Sequence, residues 1–182
     1  MALLDIIQYG HPILRKKCAK VTDFEALPEL VDNMFDTMYE EEGIGLAANQ
    51  VGVDLNLMII DVSHTEETNE IHTLINGEII DSWGESIFEE GCLSIPDVRL
   101  EVKRPEFIKL KYQTINGKEK EDEFSGLLGR AIQHEIDHLN GVFIVDRVSP
   151  LTRMPVKKQL KKIEKESNMK KRSINRKESF VL

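Results

Sequence analysis

The chain has 182 residues, 41% of them hydrophobic and 31% charged, enough to fill the core of one domain. No stretch approaches the roughly 18 to 20 unbroken apolar residues that cross a bilayer, and the N-terminal MALLDIIQYGHP lacks the basic-then-apolar order of a secretory signal, so a cytoplasmic protein with no membrane attachment is expected. The formal net charge of -8 hides an asymmetry: residues 153–182 carry 11 Lys+Arg against 3 Asp+Glu, a net of +8, and residues 1–152 carry 13 against 29, a net of -16.

In chain order, the first periodic segment places Leu27, Leu30, Val31, Met34, Phe35, Met38 and Tyr39 at the spacing of one helical face, with Pro28 near its start and Gly43 at its end. Short runs rich in Ile and Val at 57–62, 71–75 and 107–113, bounded by Gly, Pro, Asn and Asp, predict strands. Asn116-Gly117, between FIKLKYQ and KEKEDEF, predicts a two-residue hairpin turn in which both residues take positive φ. Ser125 is the expected cap of a helix through LLGRAIQHEIDHL, whose core face is Leu128, Ile132, Ile136 and Leu139 and whose stop is Asn140-Gly141. Beyond Pro155, Val156, Leu160 and Ile163 among lysines predict a last helix that fades after Ser167.

The class is therefore α+β: small antiparallel or mixed sheets around a central helix, with an N-terminal amphipathic helix and a C-terminal basic one. Residues 1–152 are expected to form one domain and residues 153–182 a basic helix with a frayed tail. That tail is either a solvated helix face or a surface for an anionic partner such as nucleic acid.

His134-Glu135-Ile136-Asp137-His138 carries the sharpest chemical signal. On a helix, positions i and i+4 differ by about 40° in direction, so both imidazoles project from one face and converge on one ion. Glu135 is rotated by about 100° from His134, beside such an ion and suited to a general base. Chance alone produces this pattern in roughly one or two such chains per hundred, and two imidazoles hold a divalent ion weakly, so a third ligand is needed. Downstream stand only Asp146, Glu164, Glu166 and Glu178, with no histidine. Upstream, Cys92 stands in Glu90-Gly91-Cys92-Leu93-Ser94; a lone cysteine is otherwise a small buried hydrophobe. Cys18 and Cys92 lie far apart with no secretory signal, so both are expected as reduced thiols. The glycines of Gly43-Ile44-Gly45-Leu46-Ala47-Ala48 lack the Lys-Ser/Thr or third spaced glycine of a phosphate loop, which argues against nucleotide binding.

Three segments, GIGLAANQ (43–50), EGCLS (90–94) and QHEIDH (133–138), resemble the three motifs of the peptide deformylases in composition, order and spacing. The resemblance extends over about residues 1–152 and is closest to the bacterial type with EGCLS and a C-terminal helix. It implies a metal-dependent hydrolase that removes the formyl group from N-formylmethionine of nascent polypeptides and releases formate. By the same resemblance Cys92, His134 and His138 hold one divalent ion, with ferrous iron implied and zinc, nickel or cobalt suiting the same ligands. Glu135 moves the proton, and Gln50 and the backbone N–H of Leu93 hold the oxyanion. The peptide lies along Ile44, Gly45 and Gly91, its methionine side chain enters a pocket of Ile44, Phe88, Leu127 and the face of His134, and Arg99 stands near its far end. The family's C-terminal helix docks on the ribosome, and +8 is the right sign for rRNA phosphates.

Three positions depart from the family. Asn49 stands where relatives often have Pro or Thr and Gly77 where many have Pro, both expected as loop changes. Arg130 stands where some relatives have an apolar residue near the pocket mouth. It is expected to point to solvent, with a part in specificity as the alternative.

Overall fold

The computed structural model describes residues 2–65 and 71–178, the last eight as backbone only. After an N-terminal segment with a 3₁₀ turn at Pro12–Arg15 come helix α1 (Leu27–Glu40), strands β1 (Gly45–Ala47), β2 (Leu57–Asp61), β3 (Ile71–Trp83), β4 (Ser86–Cys92), β5 (Ile95–Arg104), β6 (Phe107–Gln113) and β7 (Glu119–Ser125), then helices α2 (Gly126–Leu139), α3 (Pro150–Arg153) and α4 (Lys157–Glu178). The strands form a five-stranded sheet in the order β1-β2-β3-β6-β7 and a separate two-stranded sheet β4-β5, and every pairing is antiparallel. The fold is α+β.

Strand β2 shows why the five-stranded sheet lies between helices. Its side chains alternate between faces: Leu57 and Ile59 join a core with Leu27, Val31, Met34 and Met38 of α1, while Met58 and Ile60 join one with Ala131, Ile132, Ile136 and Leu139 of α2. Each fully buried aliphatic side chain contributes about 1.5–3 kcal/mol. A third core gathers Ile95, Val98, Leu100 and Val102 of β5 with Leu14, Phe143, Ile144 and Leu160 and Ile163 of α4.

Several local expectations are corrected. Helix α1 ends in a Schellman arrangement in which Glu42 N–H donates to Tyr39 O (3.1 Å) and Gly43 N–H to Met38 O (2.9 Å). Glu42, not Gly43, takes the left-handed position, at φ 55°. Gly43 instead leaves room for Leu93, whose Cδ1 lies 2.9 Å from where a Cβ would stand. The β6-β7 hairpin exists, but its turn is longer than two residues: Thr114 O accepts from Gly117 N–H and Thr114 N–H donates to Lys118 O, and of Asn116 and Gly117 only the glycine has positive φ, 75°. This is a type I turn closed by a left-handed glycine. The strand expected over 71–75 continues to Trp83 across two register shifts, the first bracketing Gly77, which is a strand residue and not a loop residue. Ser125 occupies the cap position of α2 but its side chain makes no capping hydrogen bond.

The C-terminal end of α2 follows expectation. Gly141, at φ 75°, donates to His138 O and Val142 to Asp137 O, a second Schellman closure. Helix α4 does not fade at Ser167 but continues to Glu178, because the polar residues that follow include no Gly or Pro and are mostly good helix formers. Phe180, the tail's one aromatic, lies outside the described residues. No helix among the described residues is long and apolar enough to cross a membrane.

Candidate metal centre

Three elements from distant parts of the chain supply the site. Cys92 is the last residue of β4, His134 and His138 sit one turn apart on α2, and Gln50 lies in the 3₁₀ turn that follows β1. One donor atom from each of Cys92, His134 and His138 lies within 4.8 Å of the others, the one such cluster among the described residues. Cys92 Sγ is 3.1 Å from His138 Nε2, which is 3.2 Å from His134 Nε2. Donors about 2.0–2.3 Å from a tetrahedral ion stand about 3.3–3.6 Å apart, so the trio has nearly the spacing that a zinc-like cation imposes. The donor set, one thiol and two imidazoles, fits a divalent transition metal.

The second nitrogen of His134 fixes the direction of the first. His134 Nδ1 is 3.0 Å from Glu90 Oε2, and Glu90 is held by a two-point pair with Arg104 (2.6 and 2.9 Å) and by Arg130 (2.7 Å). Arg104 also donates to Asp137 at 2.8 Å, and Asp137 pairs in turn with Arg147. Burial opposes ionisation of Glu90, but the hydrogen bonds from Arg104 and His134 outweigh it and hold the carboxyl well below the usual range. Burial likewise opposes charge on His134, yet its hydrogen bonds to Cys92 and Glu90 and the nearby Glu135 charge raise its pKa well above the ordinary value. His138 is the opposite case: burial first, then the charges of His134 and Arg104, keep its imidazole neutral, as a metal ligand must be.

Glu135 is 4% exposed, and its Oε2 has no hydrogen-bond partner among the described residues. Burial pushes its pKa up to about 7 against the opposing charges of His134 and Arg104, in the range a proton-transfer group needs at neutral pH. Its Oε1 lies 2.6 Å from where a Cβ on Gly45 would stand, so the bare backbone of β1 defines that side of the carboxylate. The amide of Gln50 is oriented by its own turn: Oε1 accepts from Ala47 N–H at 2.9 Å, which turns Nε2 toward Ser94 Oγ (3.2 Å) and Cys92 Sγ (3.9 Å).

Leu93 lies in the tight turn between Cys92 and Ile95. Gly91 pairs across the small sheet with Arg99, an exposed residue whose guanidinium lies 3.5 Å from a Cβ placed on Gly91. Ile44 and Leu127 are half-buried against the core beneath α2. Phe88 is 57% exposed on β4, with the Arg130 guanidinium carbon 5.8 Å from its ring.

One expectation about departures fails here, and another is made more specific. Arg130 does not face solvent: it is 6% exposed and donates to Glu90, Val102 O, Ser86 O and Ser86 Oγ. Burial is tolerated because the guanidinium fork is matched by acceptors, one of them charged. Asn49 is fully buried and donates to His138 O at 2.6 Å, tying the turn beside Gln50 to the ligand helix. Glu90, Ser94 and Arg104, absent from the sequence-based site, complete the frame; EGCLS contains the first two, but nothing local marks Arg104.

An HExxH helix, a cysteine and two imidazoles converging, and a buried carboxylate beside them define a metallohydrolase. The family model for polypeptide deformylase matches residues 3–154. Peptide deformylase of Thermodesulfovibrio yellowstonii is 47% identical over 162 residues, covering 88% of this chain and 98% of that protein; that of Syntrophobacter fumaroxidans is 47% identical over 168 residues, covering 92% and 99%. The crystal structure of a peptide deformylase from Legionella pneumophila superimposes with a TM-score of 0.82 at 42% identity, covering 92% of this chain and 98% of that one. The chain belongs to the polypeptide deformylase family.

Proposed function

We propose specific roles for these residues in the family's reaction, hydrolytic removal of the N-formyl group from nascent peptides. The convergence of Cys92, His134 and His138 next to the buried Glu135 carries the reading. Those three residues hold one divalent cation, ferrous iron by the family pattern, with zinc, nickel and cobalt compatible with the same donors. When bound, such an ion supplies Lewis acidity, lowering the pKa of a water from about 15.7 toward about 7.

A formamide is unactivated, so its hydrolysis needs a strong nucleophile, a held oxyanion and a proton for the departing amine. Glu135 takes the proton of the attacking water and returns it to the α-amine; a carboxyl with a pKa of about 7 serves both directions. Gln50 Nε2 and the Leu93 backbone N–H donate to the formyl oxygen as charge develops there. One preorganised donor of this kind is worth about 3–4 kcal/mol of barrier.

The peptide backbone is read by edge pairing. Among the described residues, strands β1 and β4 each have one strand neighbour and so a free edge, and an extended peptide between them meets Ile44 and Gly45 on one side and Gly91 on the other. Ile44, Phe88, Leu127 and the His134 ring form the pocket for the methionine side chain, and Arg99 covers the far end. The reaction takes place in the cytoplasm, where the basic segment from residue 153 meets rRNA phosphates near the emerging chain.

The test is formate release from formyl-Met-Ala-Ser by anaerobically purified protein, with metal content measured on the same sample. Release by iron-, nickel- or cobalt-loaded protein supports the assignment, and silence from all three sinks it.

A further inference from the structure

Glu90 receives more positive charge than the support of one histidine requires. Its Oε1 accepts from Arg104 Nε (2.6 Å) and Arg130 Nη1 (2.7 Å). Its Oε2 accepts from Arg104 Nη2 (2.9 Å) and, with Nε2 turned toward the other ligands, from His134 Nδ1 (3.0 Å). Four donors fill the acceptor sites of a carboxylate. Glu90, Arg104 and Arg130 are all buried, so solvent screens their charges little.

The two arginines are not equivalent. Arg104 also donates to Asp137 at 2.8 Å, so its charge is divided between two carboxylates. The other acceptors of Arg130 are Val102 O (3.0 Å), Ser86 O (3.0 Å) and Ser86 Oγ (2.7 Å), all neutral. Its charge therefore falls on Glu90. A carboxylate behind a metal-bound imidazole ordinarily raises the basicity of that ligand, because it draws the N–H proton toward itself. One whose charge is shared by two buried guanidiniums draws it less. The contact to His134 is the longest of the four, and at 3.0 Å it lies beyond the roughly 2.7–2.9 Å of a strong charge-assisted bond.

We propose that Arg130 is a positioning residue for the metal centre that acts through Glu90: by taking up the charge of that carboxylate it weakens the acceptor behind His134, so that the imidazole donates less to the ion and leaves it more electron-poor. Binding is weakened and Lewis acidity is gained. This rests on the metal-dependent deformylase reading.

The experiment measures the cobalt(II) dissociation constant of the full-length protein, anaerobically and against a competing chelator, for wild type, R130Q and R130K, with kcat for formyl-Met-Ala-Ser on the same samples. R130Q removes the charge, so Glu90 pulls harder on His134. Cobalt should then bind about tenfold more tightly, and kcat should fall, because an ion with a better donor acidifies water less. R130K keeps the charge and should stay close to wild type. An arginine that merely braced β4 predicts the opposite sign, since its loss would loosen the strand that carries Cys92 and weaken cobalt binding. Unchanged or weaker binding by folded R130Q therefore overturns the proposal, and so does an R130K that matches R130Q. If R130Q does not fold, S86D decides: it offers the second terminal nitrogen of Arg130 a carboxylate and draws charge away from Glu90. Tighter cobalt binding by S86D supports the proposal, and unchanged or weaker binding rejects it. Wild-type protein that binds cobalt but releases no formate would instead defeat the deformylase reading and leave the comparison of constants standing.

Discussion

Substituting Gly45 by alanine tests whether the position of the Glu135 carboxylate, and not only its presence, governs turnover. Gly45 is an ordinary strand residue without positive φ, so a methyl group brings no backbone strain and acts only through contact. It would stand 2.6 Å from Glu135 Oε1 and 3.2 Å from both Cδ and Cγ. Ordinary van der Waals contact begins at 3.4 Å, so the carboxylate oxygen must withdraw by about 0.8 Å. Glu135 is almost wholly buried and has little room in which to withdraw. Misplacement of a reacting group by about 1 Å costs roughly 100-fold, and overpacking costs about 1–3 kcal/mol of stability. Gly45→Ala should therefore lose about two orders of magnitude in kcat/KM for formyl-Met-Ala-Ser while retaining its metal. Combined with Glu135→Gln it should lose little more than Glu135→Gln alone, because both act on one group. Wild-type kcat/KM in a metal-loaded Gly45→Ala enzyme would refute this reasoning.

Glu135→Gln should keep the metal and lose turnover by 100-fold or more, on the order expected for a lost general base, whereas Cys92→Ala should lose the metal; metal analysis beside single-turnover rates separates the two. Arg104→Met removes one of several partners from each of two buried carboxylates, leaving Glu90 with Arg130 and His134 and Asp137 with Arg147, and should cost about 1–3 kcal/mol in a urea titration. Cys18 has its thiol pKa pushed from 9.0 up to about 11, by burial first and then by Asp54. The folded chain thus keeps a proton that the unfolded chain releases between those values, so this contribution to stability is intact below pH 9 and is lost as pH rises through about 11. Cys18→Ala should flatten the stability curve in that window, and an unchanged slope would reject the assignment. Deleting the residues after Ser167 should spare hydrolysis of small peptides and weaken salt-sensitive co-sedimentation with ribosomes; unchanged co-sedimentation would remove the proposed role of the tail.

What the sequence discloses and what it hides divides along physical lines. Helices α1 and α2 were legible because each buries a stripe at helical spacing, and the stop at Gly141 because left-handed backbone selects glycine there. The Cys92 hairpin is poorly marked in the sequence, although Val98, Leu100 and Val102 alternate with charged residues along β5. Strand β4 gives no such pattern, since Ile87 and Phe88 are exposed together and Glu90 is buried. Composition marks Arg130 as a surface residue, because its acceptors at Ser86, Glu90 and Val102 lie 28 to 44 positions away and no local rule brings them together. The HExxH helix discloses half of the candidate site; the frame of Glu90, Arg104 and Ser94 exists only once the two sheets meet.

The three candidate ligands come from two differently packed bodies. Cys92 ends a small sheet whose core is shared with α4, and the two histidines sit on the helix that seals the larger sheet. A cation bound there would act as a rivet between layers that otherwise share few apolar side chains, and its affinity would add directly to the free energy of holding them together. In the proposed binding mode the peptide runs along the outer edges of β1 and β4, so the groove that would admit it and the joint that a metal would fasten coincide. Chelation would loosen the walls of the binding groove together with the chemistry, and a peptide lying across both edges would reinforce the joint from its other side.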